Sequence, residues 1–265
     1  MADLLSLQQR AAQGEKLAIL TGYDASFAAQ LEAAGIDAIL VGDSLGNVVQ
    51  GQRSTLPVTL AEMIYHTAAV ARGAGNTFII TDLPFGSYQA SPEQALQSAC
   101  ALMAAGANCV KVEGGAVMLE TVSFLTARGI PVCGHLGLLP QSFNSLGGYK
   151  VQAKTATAAE QLLTDASALA DAGAAMIVLE AIPAALAKQA TDAIAIPTIG
   201  IGAGVDCNGQ VLVLYDMLGI TPGKPPRFAR NFMADTNSIS EAIAAYITAV
   251  KQRTFPADKH SFHAT

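Results

Sequence analysis

The 265-residue chain carries a net charge of −6 at pH 7, with 51% hydrophobic and only 14% charged residues. No basic run and an acidic balance speak against a nucleic-acid partner. Charged residues or glycine also interrupt every apolar stretch well before the roughly 20 residues of a membrane span.

The first 15 residues read as a short leading helix, without the basic start and apolar centre of an export signal, and the cysteine usage makes a reduced, cytoplasmic compartment the simplest expectation. Leu17-Ala18-Ile19-Leu20-Thr21 follows as a strand ending at Gly22-Tyr23-Asp24. A helix then runs through Leu31 and stops at Gly35, before Ala38-Ile39-Leu40-Val41 delivers Gly42-Asp43-Ser44. An apolar run ending on glycine and a carboxylate is the pattern of a buried parallel strand emptying into a cleft. The junction recurs. Leu31-Glu32-Ala33-Ala34-Gly35, Leu102-Met103-Ala104-Ala105-Gly106 and Leu169-Ala170-Asp171-Ala172-Gly173 each precede an apolar strand ending at a carboxylate, respectively Asp43, Glu113 and Glu180. These are helix ends with a glycine stop feeding a strand.

Eight strands are expected, centred near Ile19, Leu40, Ile79, Val110, Val132, Val178, Ile199 and Val213. Helices at 60–72, 92–105, 117–128, 158–172 and 183–194 separate most of them. This alternation favours one (β/α)8 TIM barrel over residues 1–265, with a short N-terminal helix, a C-terminal helix at 237–251 and a tail. The alternative, an open doubly wound sheet, lacks its G-x-G-x-x-G after the first strand. Two long connections, 44–59 and 138–157, follow strands on the presumed active face and read as binding loops or lids. The mean hydropathy of +0.38 points to apolar surface covered by other subunits. Cys100, Cys109, Cys133 and Cys207 show no C-x-x-C spacing, and Cys109 and Cys133 fall inside strands as small hydrophobes.

The polar residues at strand ends are Asp24, Asp43, Ser44, Asp82, Lys111, Glu113, His135 and Glu180. Four or five carboxylates around one lysine cannot all pair, and a divalent cation resolves the excess; all-oxygen donors favour Mg2+ over Zn2+. Each has a plain structural alternative. Asp24 opens a helix and reads as an N-cap; Asp43 and Asp82 read as turn or cap aspartates. Lys111 and Glu113, facing one side of a strand, read as an internal ion pair, and His135 as a core histidine bonded to backbone. Glu180, desolvated at a strand end, is a candidate proton acceptor. Gly200-Ile201-Gly202-Ala203-Gly204 is similar to a phosphate loop, although glycines there also serve packing. The tail His260-Ser261-Phe262-His263 suggests a metal only weakly, because tail histidines are usually solvated.

Several motifs occur in order: Thr21-Gly22-Tyr23-Asp24, Val41-Gly42-Asp43-Ser44-Leu45-Gly46, Ser54-Thr55-Leu56-Pro57-Val58-Thr59, Asp82-Leu83-Pro84-Phe85, Val110-Lys111-Val112-Glu113-Gly114-Gly115 and Cys133-Gly134-His135-Leu136-Gly137. Gly147-Gly148-Tyr149-Lys150-Val151-Gln152, the glycine loop at 200–204, Asn231-Phe232 and the tail motif complete the set. Together they resemble the ketopantoate hydroxymethyltransferase family of pantothenate synthesis, over nearly the whole chain. The resemblance implies a barrel of the phosphoenolpyruvate mutase/isocitrate lyase superfamily type, assembled as a homodecamer. It implies that Asp43, Asp82 and Glu113 bind Mg2+, that Ser44 and Lys111 touch the ketoacid together with Asp43 and Asp82, and that Glu180 takes the C3 proton. It also implies a Mg2+-stabilised enolate of 3-methyl-2-oxobutanoate attacking the methylene carbon of 5,10-methylenetetrahydrofolate; being acidic and bulky, the folate is expected against the open mouth beside Gly202–Gly204. Leu139 stands where the family more often has threonine, and Ala153 where it often has glycine. The rivals are a Mg2+-dependent C–C lyase, against which Cys133 inside a strand argues, and a non-catalytic anion-binding barrel.

Overall fold

The computed structural model describes residues 3–264. Chain order runs α1 (Leu4–Ala12), β1 (Leu17–Thr21), α2 (Ala25–Ala33), β2 (Ala38–Val41), α3 (Leu45–Val48), α4 (Leu60–Gly73), β3 (Phe78–Asp82), α5 (Pro92–Ala105), β4 (Cys109–Glu113) and α6 (Leu119–Thr126). It continues through β5 (Val132–Gly137), α7 (Phe143–Leu146), α8 (Ala156–Asp171), β6 (Met176–Glu180), α9 (Ala184–Ala193), β7 (Thr198–Ile201), β8 (Gly209–Leu212), α10 (Leu214–Met217) and α11 (Ile239–Lys251). The eight strands pair in parallel and in chain order, and β1 pairs with β8 through Leu17–Gly209 to Leu20–Leu212, closing the barrel. No helix among the described residues is long and apolar enough to cross a membrane.

The helices begin where side chains can accept the free N–H groups of a first turn. Asp24 caps α2 through Phe27 N at 2.9 Å, Thr59 and Glu62 form a reciprocal capping box on α4, and Ser91 caps α5 with Pro92 in its first position. Asp24 is therefore the structural residue that its position suggested. The strands are buried along their length, and leucine, valine and alanine of the helices cover them in one core. Each large aliphatic side chain so buried contributes about 1.5–3 kcal/mol.

Two elements depart from expectation. The eighth strand ends at Leu212, because Leu214 already opens a helical turn with its N–H donated to Thr21 Oγ1 at 2.8 Å. Val213 is thus the cap of α10 rather than a strand centre. No helix lies between β7 and β8, and α10 has only four residues. The covering is supplied by α11, whose buried Tyr246 donates its hydroxyl to Ile19 O at 2.9 Å and Gln210 O at 3.0 Å across the β1–β8 seam. The C-terminal helix expected at 237–251 thus covers the β1–β8 seam.

Candidate active site

Strand register builds the site. Asp82 on β3 is level with Lys111 on β4, and Glu113 on β4 is level with His135 on β5. Gly137 on β5 is level with Glu180 on β6. Lys111 and Glu113 are two residues apart, so alternation turns both toward the barrel interior. The result is a chain of contacts. Lys111 Nζ lies 3.1 Å from Asp82 Oδ1 and 3.8 Å from Glu113 Oε1; His135 Nδ1 lies 3.4 Å from Glu113 Oε1, and its Nε2 3.2 Å from Glu180 Oε2. Asp43, just past β2, donates its N–H to Asp82 Oδ2 at 3.0 Å. Gly42 permits that approach, since a Cβ there would meet Ser44 Oγ at 2.8 Å and Asp82 Oδ2 at 3.5 Å. Ser44 is held by the Tyr23 hydroxyl at 2.9 Å.

These groups line a cavity of ≈ 590 Å3 at the carboxyl ends of the strands, where such barrels bind their ligands. Asp43, Asp82, Lys111, Glu113 and His135 are all buried. Burial, then Asp82 and Glu113, push the Asp43 carboxyl well above its usual range. Burial opposes ionisation of Glu113 too, but hydrogen bonding and charge from His135, the Lys111 ammonium and the Gln141 N–H hold it below that range. Burial opposes the Lys111 charge, and Asp82, Glu113 and Asp43 more than restore it. His135 is likewise opposed by burial and by Lys111, yet Glu113 and Glu180 raise it. Negative charge is in surplus.

The surplus leaves carboxylate oxygens held by charge contacts alone. Asp82 Oδ1 and Glu113 Oε1 make no hydrogen bond of regular geometry, and neither does His135 Nε2. Buried carboxylate oxygens without a regular hydrogen bond, next to a desolvated third carboxylate, fit a hard divalent cation, which accepts oxygen ligands and keeps waters or substrate oxygens in its shell. As they stand, no three His, Cys, Asp or Glu side chains among the described residues are gathered closely enough to hold a metal ion. The donor chemistry fits Mg2+.

Glu180 is aimed by its backbone. Gly137, at φ 94°, leaves space that a Cβ would take from Glu180 O at 2.2 Å, and Leu138 N donates to that same oxygen at 2.9 Å. The next residue, Ala181, is left-handed at φ 47°, a strain of about 1 kcal/mol or more. Its N–H is held by Ile201 O at 2.9 Å. The chain therefore turns sharply as soon as the carboxylate has been presented.

Three groups in the cluster escaped sequence reasoning, or were left undecided by it. His135 is bonded to side chains of the site rather than to backbone. Gln141, in the loop after β5, donates its N–H to Glu113 Oε2 at 3.0 Å, and its amide to Asp43 Oδ2 and Leu83 O, both at 2.9 Å. Its amide oxygen accepts from the Tyr88 hydroxyl at 2.7 Å and from Gln89 at 3.1 Å. Tyr88 in turn accepts from Glu113 N at 3.1 Å. The loop is thereby clamped onto two of the carboxylates by a neutral amide whose bonds are all made. Neither Gln141 nor Tyr88 is marked by its neighbours in sequence, because only the folded loops bring them beside the carboxylates.

The glycine loop and the tail turn out to be one structure. A Cβ at Gly202 would meet Phe228 at 2.9 Å and Phe262 at 3.0 Å, and one at Gly204 would meet Ala184 Cβ at 2.5 Å. No helix follows the loop, so it lacks the N-terminal amides that hold phosphates; its glycines serve packing. In the tail, His260 is buried against the Phe255 ring, and His263 meets Asp258 at 2.9 Å. Pro183 bridges to Phe262, which Ala184 N also holds, and Phe262 forms part of the cavity wall. Ala153 takes φ 53°, a conformation that glycine adopts freely. Leu139 precedes the turn Pro140–Ser142, and its substitution for threonine has no structural reason here.

A family model described as ketopantoate hydroxymethyltransferase matches residues 2–258. The chain belongs to that family. Ketopantoate hydroxymethyltransferase relatives include proteins named 3-methyl-2-oxobutanoate hydroxymethyltransferase from Nitrosospira multiformis and Methylobacillus flagellatus. The first is 64% identical, covering 94% of this chain and 95% of the relative, and the second 62%, covering 98% and 99%. Among solved structures, a phosphonopyruvate hydrolase complexed with oxalate and Mg2+ aligns with a TM-score of 0.61 at 13% identity, covering 97% of this chain and 99% of that one. A 2,3-dimethylmalate lyase, described as a phosphoenolpyruvate mutase/isocitrate lyase superfamily member, gives 0.57 at 17% over 83% and 81%. That likeness concerns the fold alone, a closed barrel of eight parallel strands. Family membership sets aside the lyase and the non-catalytic readings.

Proposed function

We infer that this chain transfers a hydroxymethyl group to C3 of 3-methyl-2-oxobutanoate, giving ketopantoate for pantothenate synthesis, with 5,10-methylenetetrahydrofolate as donor and Mg2+ as the metal. The observation that carries the reading is the buried Asp82–Lys111–Glu113–His135–Glu180 chain at the mouth of a barrel of this family. Asp43, Asp82 and Glu113 would hold the metal, whose charge would lie beside the 2-oxo and carboxylate oxygens of the substrate.

The other steps belong to the protein. Lys111, kept charged by its carboxylate neighbours, offers positive charge where negative charge develops on the 2-oxo oxygen. Ser44, steadied by Tyr23, contributes a hydroxyl to the ketoacid. Glu180, the least buried carboxylate of the chain of contacts, takes the C3 proton, and His135 beside it fixes its direction. The electron pair left by that proton forms the new C–C bond to the donor's methylene carbon. Water supplies the hydroxyl oxygen: both C–N bonds of the methylene carbon break, the two water protons end on N5 and N10 of the released tetrahydrofolate, and the C3 proton taken by Glu180 ends on the new hydroxyl.

Assembly with other subunits, as in a homodecamer, is part of the same reading, in line with the positive mean hydropathy of the chain. A single domain over residues 1–265 and a cytoplasmic location complete the reading.

The test is C3 proton exchange of 3-methyl-2-oxobutanoate in D2O, followed by NMR without folate. Exchange should require Mg2+ and should fall at least about 100-fold in Glu180→Gln. Wild-type exchange rates in that variant would remove Glu180 as the base, and exchange that ignores Mg2+ would remove the metal.

A further inference from the structure

The carboxylate chain occupies only one arc of the barrel mouth, from β2 to β6. The facing arc, β7 to β1, contributes Ile201, Val211 and Val213 to the same cavity, and among these apolar groups stands Asp216. β8, which leads into α10 and Asp216, lies diametrically across the ring from β4 with Lys111 and Glu113. Asp216 is only 8% exposed. Among the described residues no cation pairs with it. Thr221 lies beside it, and its hydroxyl makes no hydrogen bond of regular geometry. Burial pushes the Asp216 carboxyl above its ordinary range. A mostly buried carboxylate in a cavity wall, with no cation on it, keeps its acceptors free for a ligand's N–H groups.

Outward from Asp216 the chemistry changes sign. Lys224 and Arg227 are exposed and also line the cavity, and the Arg227 guanidinium lies 5.5 Å from the Phe262 ring centroid. Phe228 and Phe262, which roof Gly202, supply a flat apolar wall between the depth and the rim. From the inside outward the arc thus presents an acceptor, an aromatic surface and two cations.

We propose that Asp216, Thr221, Phe228, Phe262, Lys224 and Arg227 form the half-site for the one-carbon donor, a reduced pterin with an acidic tail. This rests on the reading given above. The 2-amino-4-oxo edge of a pterin carries two parallel N–H donors, which a carboxylate accepts together. The ring and its aryl extension lie against the phenylalanines. The glutamyl carboxylates of the tail reach the rim, where guanidinium and ammonium groups meet them in water. The donor then enters from the wall opposite Lys111, and its methylene carbon faces the ketoacid between the two arcs. Asp216 and Thr221 bind the part of the donor that does not react.

The experiment uses the full-length protein and tetrahydrofolate as the probe, with titration calorimetry for its Kd and steady-state KM for the methylene form. Folate-free C3 exchange on the wild type tests the underlying reading separately. Asp216→Asn should raise the Kd for tetrahydrofolate at least about 10-fold, because an amide cannot accept both N–H groups. The double variant Lys224→Ala with Arg227→Ala should remove most of any preference for a triglutamyl over a monoglutamyl tail, and raising salt should mimic it. Should Asp216→Asn fail to fold, Thr221→Val and the rim variant carry the test. An unchanged Kd in Asp216→Asn, or in both remaining variants, overturns the half-site while exchange in the wild type keeps the ketoacid chemistry standing. Absent exchange in the wild type instead strikes the reading itself.

Discussion

The two ends of this barrel both bury charge, and they treat it in opposite ways. At the amino ends of the strands, Asp37 is 5% exposed, and both of its oxygens are served. Arg10 binds one, and Lys251 at 2.6 Å with the Ala18 N–H at 2.7 Å binds the other. Lys16 is turned onto the carbonyls of Asp206 and Cys207, and Asn208 accepts from Thr198 N at 2.9 Å. At the carboxyl ends, Asp82 Oδ1 and Glu113 Oε1 have no regular hydrogen bond, and Asp43, Asp82, Glu113 and Glu180 share the Lys111 ammonium and the His135 imidazole. Saturated charge at one end holds the barrel together. Unsaturated charge at the other weakens the fold and leaves valence for metal and substrate, the trade expected where function is built.

Neutralising one aspartate at each end separates these roles. Asp43→Asn should lower turnover by about 100-fold or more, as loss of a metal ligand implies. The same change should raise stability without Mg2+. The folded state holds the Asp43 carboxyl above its unfolded range, so ionisation above that range costs stability that asparagine does not lose. A gain on the order of 1 kcal/mol at neutral pH, absent below the unfolded carboxylate range, is expected from denaturant melts in EDTA. A loss of stability in those melts would erase the contrast.

At the other end, Asp37→Asn should cost about 2 kcal/mol in the same melts, because its donors are charged and its acceptors all used. Its KM for the ketoacid should match the wild type. The Gln141 clamp probes how far the upper end is preorganised: Gln141→Ala should raise the Mg2+ concentration for half-maximal binding about 10-fold, read by calorimetry as well as by activity. An unchanged metal titration would reduce Gln141 to loop packing.

The smallest effect lies at the exposed edge of the lower network. Arg10 and Lys251 hold Glu15 down to about 2, well below its unfolded value. Its contribution is therefore present above the unfolded carboxylate range and fades as pH falls toward 2. Because Glu15 is largely solvent-exposed, the loss should be about 0.5 kcal/mol and should vanish in high salt.

Local rules carried the reading of the barrel a long way. Apolar runs of strand length, glycine stops and capping residues depend on neighbours in sequence, so the strands and most helix limits were legible, as were Asp43, Asp82, Lys111, Glu113 and Glu180 at strand ends. Legibility failed where a role depends on residues distant in sequence. Gly202 looked like a phosphate loop because nothing nearby in sequence announces that Phe228 and Phe262 fill its space. His135 read equally well as a core residue, since only the β4–β5 register brings it beside Glu113.

The amino-acid sequence by itself determined the alternation of strand and helix, the barrel, the family and the set of carboxylates at strand ends, because periodicity and chain punctuation are short-range properties. The tertiary structure alone decided which charges are satisfied. That outcome depends on register across strands and on loops folding back, which gave Asp37 two cations, left Asp82 and Glu113 with unspent oxygens, inserted Gln141 between two carboxylates, and set Asp216 into the wall opposite Lys111.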